Sequence, residues 1–240
     1  MIESKSIPYR QRLTKKSGNF VKISLGSIFF LSFSDIINLG FILFRRKIMK
    51  ALVVLAHQKT EGSFCHALAD LSVKTLASAG YDVTLKDLYA EKFDPILTQE
   101  ELELTPEQVT GSIRAEIDQI MSADFYVVIH PNWWGMPPAI LKGWIDRAIR
   151  QGFCYAFTAD GPVRKLEGRK GVVFTTGNTP QDIEVNVNGD PLENLWKNIV
   201  FKTVGVDDFK RINFASVIMS TPQQRAEWLD QAKDLLEKMA

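Results

Sequence analysis

Cysteine and histidine are scarce in this chain, and each scarcity removes a class of chemistry. Only two of the 240 residues are cysteine, Cys65 and Cys154, far apart and in neither metal nor redox spacing. That disfavours a disulfide-stapled scaffold and leads us to expect a reduced, cytoplasmic setting. The three histidines, His57, His66 and His130, join no Cys or carboxylate cluster at zinc-site spacing, so no metal is expected. Glycine-rich phosphate fingerprints are missing too: Gly62 stands alone where a dinucleotide fold or a P-loop would place several. No Ser/Gly-rich linker or internal repeat divides the chain, and no side chain stands out as a nucleophile.

What is present is an ordinary globular composition, 45% hydrophobic and 24% charged, whose formal net charge of +1 conceals an uneven distribution. Residues 1–48 carry nine Lys/Arg against Glu3 and Asp35, which leaves the remainder net acidic and an unsuitable partner for nucleic acid. The same segment holds an apolar stretch, 23–44, of about membrane-spanning length, with Asp35 and Asn38 near its middle. Three readings compete: a membrane anchor, a cleaved leader, or an extension foreign to the native protein, whose natural start is then Met49. The third is favoured because Met49 and Lys50 directly precede a complete first strand. Membrane contact is expected only if the extension is genuine, and one folded domain is expected over 49–240.

From Lys50 onward the pattern is regular. Residues 51–57 (ALVVLAH), 124–129 (DFYVVI) and 170–177 (KGVVFTTG) are the short apolar runs of strands buried on both faces, while 82–88 alternates like a strand nearer the sheet edge. Residues 210–217 complete five strands. Between them, Ser63 caps a helix with Phe64, Leu68 and Leu71 on one face and Gly80 at its end. Further helices are expected over 106–122 with Pro106 in the first turn, over 139–150, and over 191–204 with Leu195 and Ile199 toward its buried side. The last begins at the pair Thr221 and Pro222, and a hairpin-like turn carries Asp160, Gly161 and Pro162. Strands alternating with helices imply an α/β fold, a doubly wound parallel sheet with helices on both faces. Ligands bind such sheets outside the carboxyl ends of the strands.

Three strand ends carry candidate binding residues. After strand one, a loop leading into a helix start offers unpaired N–H groups to an anion, with Thr60 and Ser63 adding hydroxyls. His57, which ends that strand, contacts the ligand or caps the strand by a backbone hydrogen bond. After strand three, Pro131, Asn132, Trp133, Trp134, Gly135 and Met136 form a rigid loop whose flat rings suit a flat ligand, although a single tryptophan more often packs. After strand four, Thr175, Thr176, Gly177 and Asn178 have small side chains that leave N–H groups free, or simply end the strand in a turn.

The string from His130 to Trp144, HPNWWGMPPAILKGW, closely resembles the flavin loop of the NAD(P)H:quinone oxidoreductase family. Pro131, Trp133, Trp134 and residues 138–144 carry the match. It is extended by His57, Ser63 and Phe64, by FDPIL at 93–97, by GFCYAF at 152–157, by Thr-Thr-Gly at 175–177 and by Gly189 with Asp190. The resemblance spans roughly 49–240. It implies the flavodoxin-like strand order 2-1-3-4-5 and a flavin held by His57, Thr60, Ser63, Phe64 and Cys65, by Pro131 to Met136, and by Thr175 to Asn178. It also implies NAD(P)H as electron donor, a quinone-like flat acceptor, ping-pong turnover and a homodimer, cytoplasmic or peripheral to the inner face of a membrane. The segment between strand two and the next helix is shorter than in the animal enzymes, which favours FMN over FAD. Trp144, on a helical apolar face, is expected to pack.

Departures from the family pattern are equally specific. Cys65 stands where asparagine is frequent, Asn188 where a histidine would be, and no tyrosine lies between Gly177 and Gly189. Asn188 is thereby a candidate substrate contact, and the proton relay is unassigned. Two other functions fit the same fold: a non-catalytic electron carrier, and a regulatory subunit of a membrane potassium-efflux transporter.

Overall fold

The computed structural model describes residues 48–240. The three readings of the N-terminal extension lie outside the described residues, apart from exposed Ile48 and Met49 at their edge. Five strands form one parallel sheet: β1 (Lys50–Leu55), β2 (Asp82–Asp87), β3 (Phe125–Pro131), β6 (Lys170–Thr176) and β7 (Asp208–Phe214), in the order β2-β1-β3-β6-β7. Counted along the sheet-forming strands alone, this is the expected order 2-1-3-4-5. A separate antiparallel hairpin pairs β4 (Tyr155–Thr158) with β5 (Gly161–Arg164).

The two-residue alternation of side chains divides the core between the faces of the sheet. Leu52, Val54, Tyr126 and Val128 point to one face, where they meet Ile120 of α3 (Gly111–Ser122), Leu141 and Trp144 of α4 (Ala139–Ala148), and Trp196. Val53, Leu55, Val127, Ile129 and Phe174 point to the other, against Leu68 and Leu76 of α1 (Phe64–Ser78) and Ala232 and Leu236 of α7 (Pro222–Met239). Each fully buried leucine or phenylalanine contributes about 1.5–3 kcal/mol. The central strands therefore hold the strand ends, and the loops that leave them, in fixed positions.

Local chemistry sets the helix ends. Ser63 caps α1 by accepting the His66 N–H, Thr221 caps α7 by accepting that of Gln224, and Gly80 leaves α1 with φ of +91°. Trp144 packs, as its helical position implied: its ring is buried and its Nε1–H donates to Glu116 Oε2 at 2.9 Å. Lys86 completes the arrangement by donating to Glu116 Oε1 at 2.8 Å.

Several boundaries differ from expectation. α3 starts at Gly111 rather than near Pro106, because Gly111 takes a left-handed φ of +66° that interrupts a helical path from 106. A short helix, α2 (Gln99–Leu102), precedes it, capped by Thr98. α4 ends at Ala148 and β7 runs Asp208–Phe214, two residues earlier than the expected start, before a turn at Ser216 with φ of +52°. Residues 191–204 are helical, here α6, after another short helix, α5 (Gln181–Asn186). The middle of α6, Asn194–Phe201, is π-helical and buries Trp196, Val200 and Phe201, while Leu192 and Val204 are buried on the flanking turns. Ile199, expected inside, is 53% exposed.

Candidate functional site

Because β1, β3 and β6 are neighbours in the sheet, the loops leaving their carboxyl ends are neighbours too. Leu55 lies beside Ile129, and Pro131 beside Thr176. Beside the loops after β3 and β6 a cleft of about 550 Å³ opens, lined by Asn132, Trp134, Gly135, Gly177, Asn178, Thr179, Glu184, Asn188 and Pro191, with no residue of the β1 loop in that lining. Its size is that of a small-molecule site.

The loop after β3 is a tight turn rather than an open coil. Trp133 and Met136 exchange both backbone hydrogen bonds, at 2.9 and 3.0 Å, leaving Trp134 and Gly135 at the tip with φ of +56° and +72°. Glycine adopts that conformation freely, whereas in tryptophan it costs about 1–2 kcal/mol. The result is a Trp134 side chain 99% exposed beside the cleft, with Trp133 and Met136 half-exposed on the same turn. A Cβ on Gly135 would lie 2.8 Å from Pro191 Cγ, so the turn abuts the start of α6. Beneath it His130 is fully buried, with Nδ1 2.8 Å from the Pro131 carbonyl and Nε2 accepting from Trp196 Nε1 at 3.0 Å. Because Nε2 accepts, the proton sits on Nδ1 and donates to Pro131. Burial, aided by the Arg211 charge, holds this imidazole down at about 4.

At the end of β1, His57 Nδ1 accepts the Lys59 N–H at 3.1 Å, the strand-capping arrangement set against ligand contact above. Burial and the nearby His66 keep its pKa below the usual histidine value. Gly62 turns with φ of +67°, Ser63 caps α1, and intrahelical bonding begins with the Ala67 N–H. The N–H groups of Phe64 and Cys65 thus belong to the first turn, which lacks carbonyl acceptors within a helix. Thr60 is exposed on this loop.

Other candidate side chains face protein rather than the cleft. Phe64 packs edge-on to Phe214 at 5.3 Å and against Trp228 at 5.8 Å. Cys65 Sγ and Thr176 Oγ1 meet at 3.3 Å and staple α1 to the end of β6, and burial pushes the thiol up to about 11. Thr175 Oγ1 is taken by Asn213 and Arg211. The Gly177 N–H, which the sequence left free, donates to the Phe214 carbonyl at 3.0 Å, because β7 continues its pairing past the strand end. Asn178 does present a donor: its Oδ1 accepts the Ile218 N–H at 3.1 Å, which leaves its NH2 to face outward.

Four participants went unnoticed in the sequence. Thr179, Glu184 and Pro191 line the cleft, and Trp196 fixes His130 from behind. Their signal was weak, since an acid in a short polar stretch reads as solvent-facing. Among the described residues no cluster of His, Cys, Asp or Glu could hold a metal ion, and no helix is long and apolar enough to cross a membrane.

Comparison with known proteins gives this geometry its context. A family model described as a flavodoxin-like fold matches residues 49–238. The ribosyldihydronicotinamide dehydrogenase (quinone) of Homo sapiens is 30% identical over 200 residues, 73% of this chain and 86% of that protein. The solved NAD(P)H:quinone oxidoreductase from Methanothermobacter marburgensis is 25% identical with a TM-score of 0.68, over 80% of this chain and 97% of that one. An FMN-dependent NADH-azoreductase from Bacillus anthracis, solved in complex with FMN, shares the fold with a TM-score of 0.68 at 18% identity, over 80% of this chain and 100% of that one. A sheet ending in an exposed tryptophan turn beside a cleft, carried on a chain with these relatives, identifies the protein as an oxidoreductase belonging to the NAD(P)H:quinone oxidoreductase family of flavodoxin-like fold.

Proposed function

We propose that the chain is a flavin-dependent NAD(P)H oxidoreductase that passes two electrons to quinones or similar flat acceptors. The observation that carries this is the cleft at the ends of β3 and β6, with an exposed indole at its rim and amide side chains along its wall. A flavin, when bound, would supply the hydride chemistry between NAD(P)H and the acceptor, in a ping-pong reaction. The turn from Trp133 to Met136 stacks against the ring system. Asn178 donates from its NH2 to the polar edge, an electrostatic role set up before reaction. Ser63, Thr60 and the first-turn N–H groups of α1 hold the phosphate, and His57 shapes their loop. Asn188 meets the acceptor.

FMN is the better fit. The segment between β2 and α3 is short and tied to the end of α4 and the residues just beyond it, Glu101 of α2 pairing with Arg147 at 2.8 Å and Arg150 at 3.4 Å. We also read the protein as a cytoplasmic homodimer. Support comes from the exposed Phe157 and Val163 on the β4–β5 hairpin and the exposed Ile199 on α6. The test is an absorbance spectrum of the purified protein, chromatography of the flavin released on denaturation, and turnover of NAD(P)H with menadione. Released FMN and menadione-dependent oxidation are the expected results; a colourless protein that takes up neither FMN nor FAD overturns the reading.

A further inference from the structure

Glu184 on α5 is only 2% exposed, yet it forms part of the cleft wall. Its Oε1 accepts from Asn132 Nδ2 at 2.9 Å and its Oε2 from Asn188 Nδ2 at 3.3 Å. Asn132 is engaged on its other side as well, its Oδ1 accepting the Gly135 N–H at 2.8 Å. With its oxygen committed to that main-chain donor, the Asn132 amide can turn only its NH2 toward α5. The group it meets there must therefore be an acceptor. A buried acceptor facing two amide donors is satisfied, whereas an Asn132 left with one side unpaired would forfeit about 1–3 kcal/mol. α5 in turn is fixed to the start of α6, because the Asp190 N–H donates to the Glu184 carbonyl at 2.9 Å.

We propose that Glu184 is a positioning residue: its carboxylate sets the orientation of Asn132 and, through Asn132, the turn that presents Trp134 to the cleft. The chain of contacts runs Glu184, Asn132, Gly135 N–H, and it joins segments 52 residues apart in sequence. Nothing in it requires a proton to move. The acceptor lone pair does the positioning, so any acceptor of the same reach will serve.

That requirement yields a variant series with a distinct pattern. Glu184→Gln retains an acceptor for Asn132 if Asn188, which is exposed, reverses its amide; it is expected to behave as the parent protein. Glu184→Ala removes the acceptor. Asn132→Asp puts two carboxylates face to face, which is costly in a buried site. Adding Glu184→Gln to Asn132→Asp reverses donor and acceptor and restores the contact, with the new carboxylate still accepting the Gly135 N–H.

Two readouts are taken on full-length protein whose fold is checked by far-ultraviolet circular dichroism. Amide hydrogen exchange at Gly135 is expected to speed up about tenfold in Glu184→Ala and in Asn132→Asp, and to return toward the parent rate in Asn132→Asp/Glu184→Gln. The FMN dissociation constant is expected to follow the same order. The flavin arm rests on the function proposed above, whereas the exchange arm reads the contact without it, so a parent protein that binds no flavin fails only the former reading. Unchanged Gly135 exchange in a folded Glu184→Ala protein, or failure of Glu184→Gln to recover Asn132→Asp, overturns the proposal.

Discussion

Trp134 sits at a left-handed turn tip with nearly all of its surface in solvent, so its ring contributes little to packing. Replacing it with alanine keeps the backbone strain and removes only the indole. Trp134→Ala is therefore expected to shift unfolding stability by no more than about 0.5 kcal/mol. Flavin affinity should fall about tenfold, the loss of one aromatic stacking contact of about 1–1.5 kcal/mol. Parallel denaturation curves and FMN titrations of the two proteins check both halves. His130 behaves in the opposite way, being wholly interior and held neutral. Its folded pKa of about 4 lies below the unfolded value of about 6.5, so the unfolded chain binds the proton more readily. The associated stability, about 3 kcal/mol, is complete above pH 6.5 and is lost as pH falls toward 4. Glutamine can accept from Trp196 and donate to Pro131 without titrating. Melting temperatures measured between pH 7 and 4.5 should accordingly fall less steeply in His130→Gln than in the parent.

At the level of elements, the most recognisable segment, PAILKGW, is scaffold. Gly143 of α4 lies so close to Pro95 that a Cβ there would run into the proline's carbonyl oxygen and Cα, backbone atoms that cannot swing aside. Gly143→Ala should cost about 1–3 kcal/mol by overpacking, visible as a lower denaturation midpoint, even though alanine favours helix. The FDPIL motif and the KGW motif thus meet as one contact, which their separation in sequence concealed. The sheet strands and long helices were readable because their apolar periods are strong: β1, β3 and β6 are continuous runs, and Ser63 and Thr221 are caps. The start of α3 was misplaced because Pro106 suits a first turn, while only Gly111's left-handed φ breaks the path after it. On α6 only Ile199 was misplaced: Leu195 packs partly buried against the core, but the buried row at 192, 196, 200 and 204 runs one position further along the helix. Short helices such as α5 leave too few residues for any period to register.

For the molecule as a whole, the site was legible as loops and not as contacts. The positions of Asn132, Trp134, Gly135, Gly177 and Asn178 around one cleft follow from strand order. Which N–H groups remain free does not, since Phe214 of a distant strand takes the bond of Gly177. Glu184 meets Asn132 only after β3 and β6 have paired. The same parallel topology governs how the protein is made. β1 pairs with β3 between residues 74 apart, Ala51 with Phe125, and β3 pairs with β6 only after one helix and a hairpin have been traversed. Loops of that length make nucleation slow, on the order of milliseconds to seconds, and place strand pairing late along the folding route. A cleft built from the ends of those strands has no precursor in the unfolded chain; under the function proposed above, refolding rates will therefore not depend on added FMN, while unfolding will slow in proportion to FMN binding in the cleft.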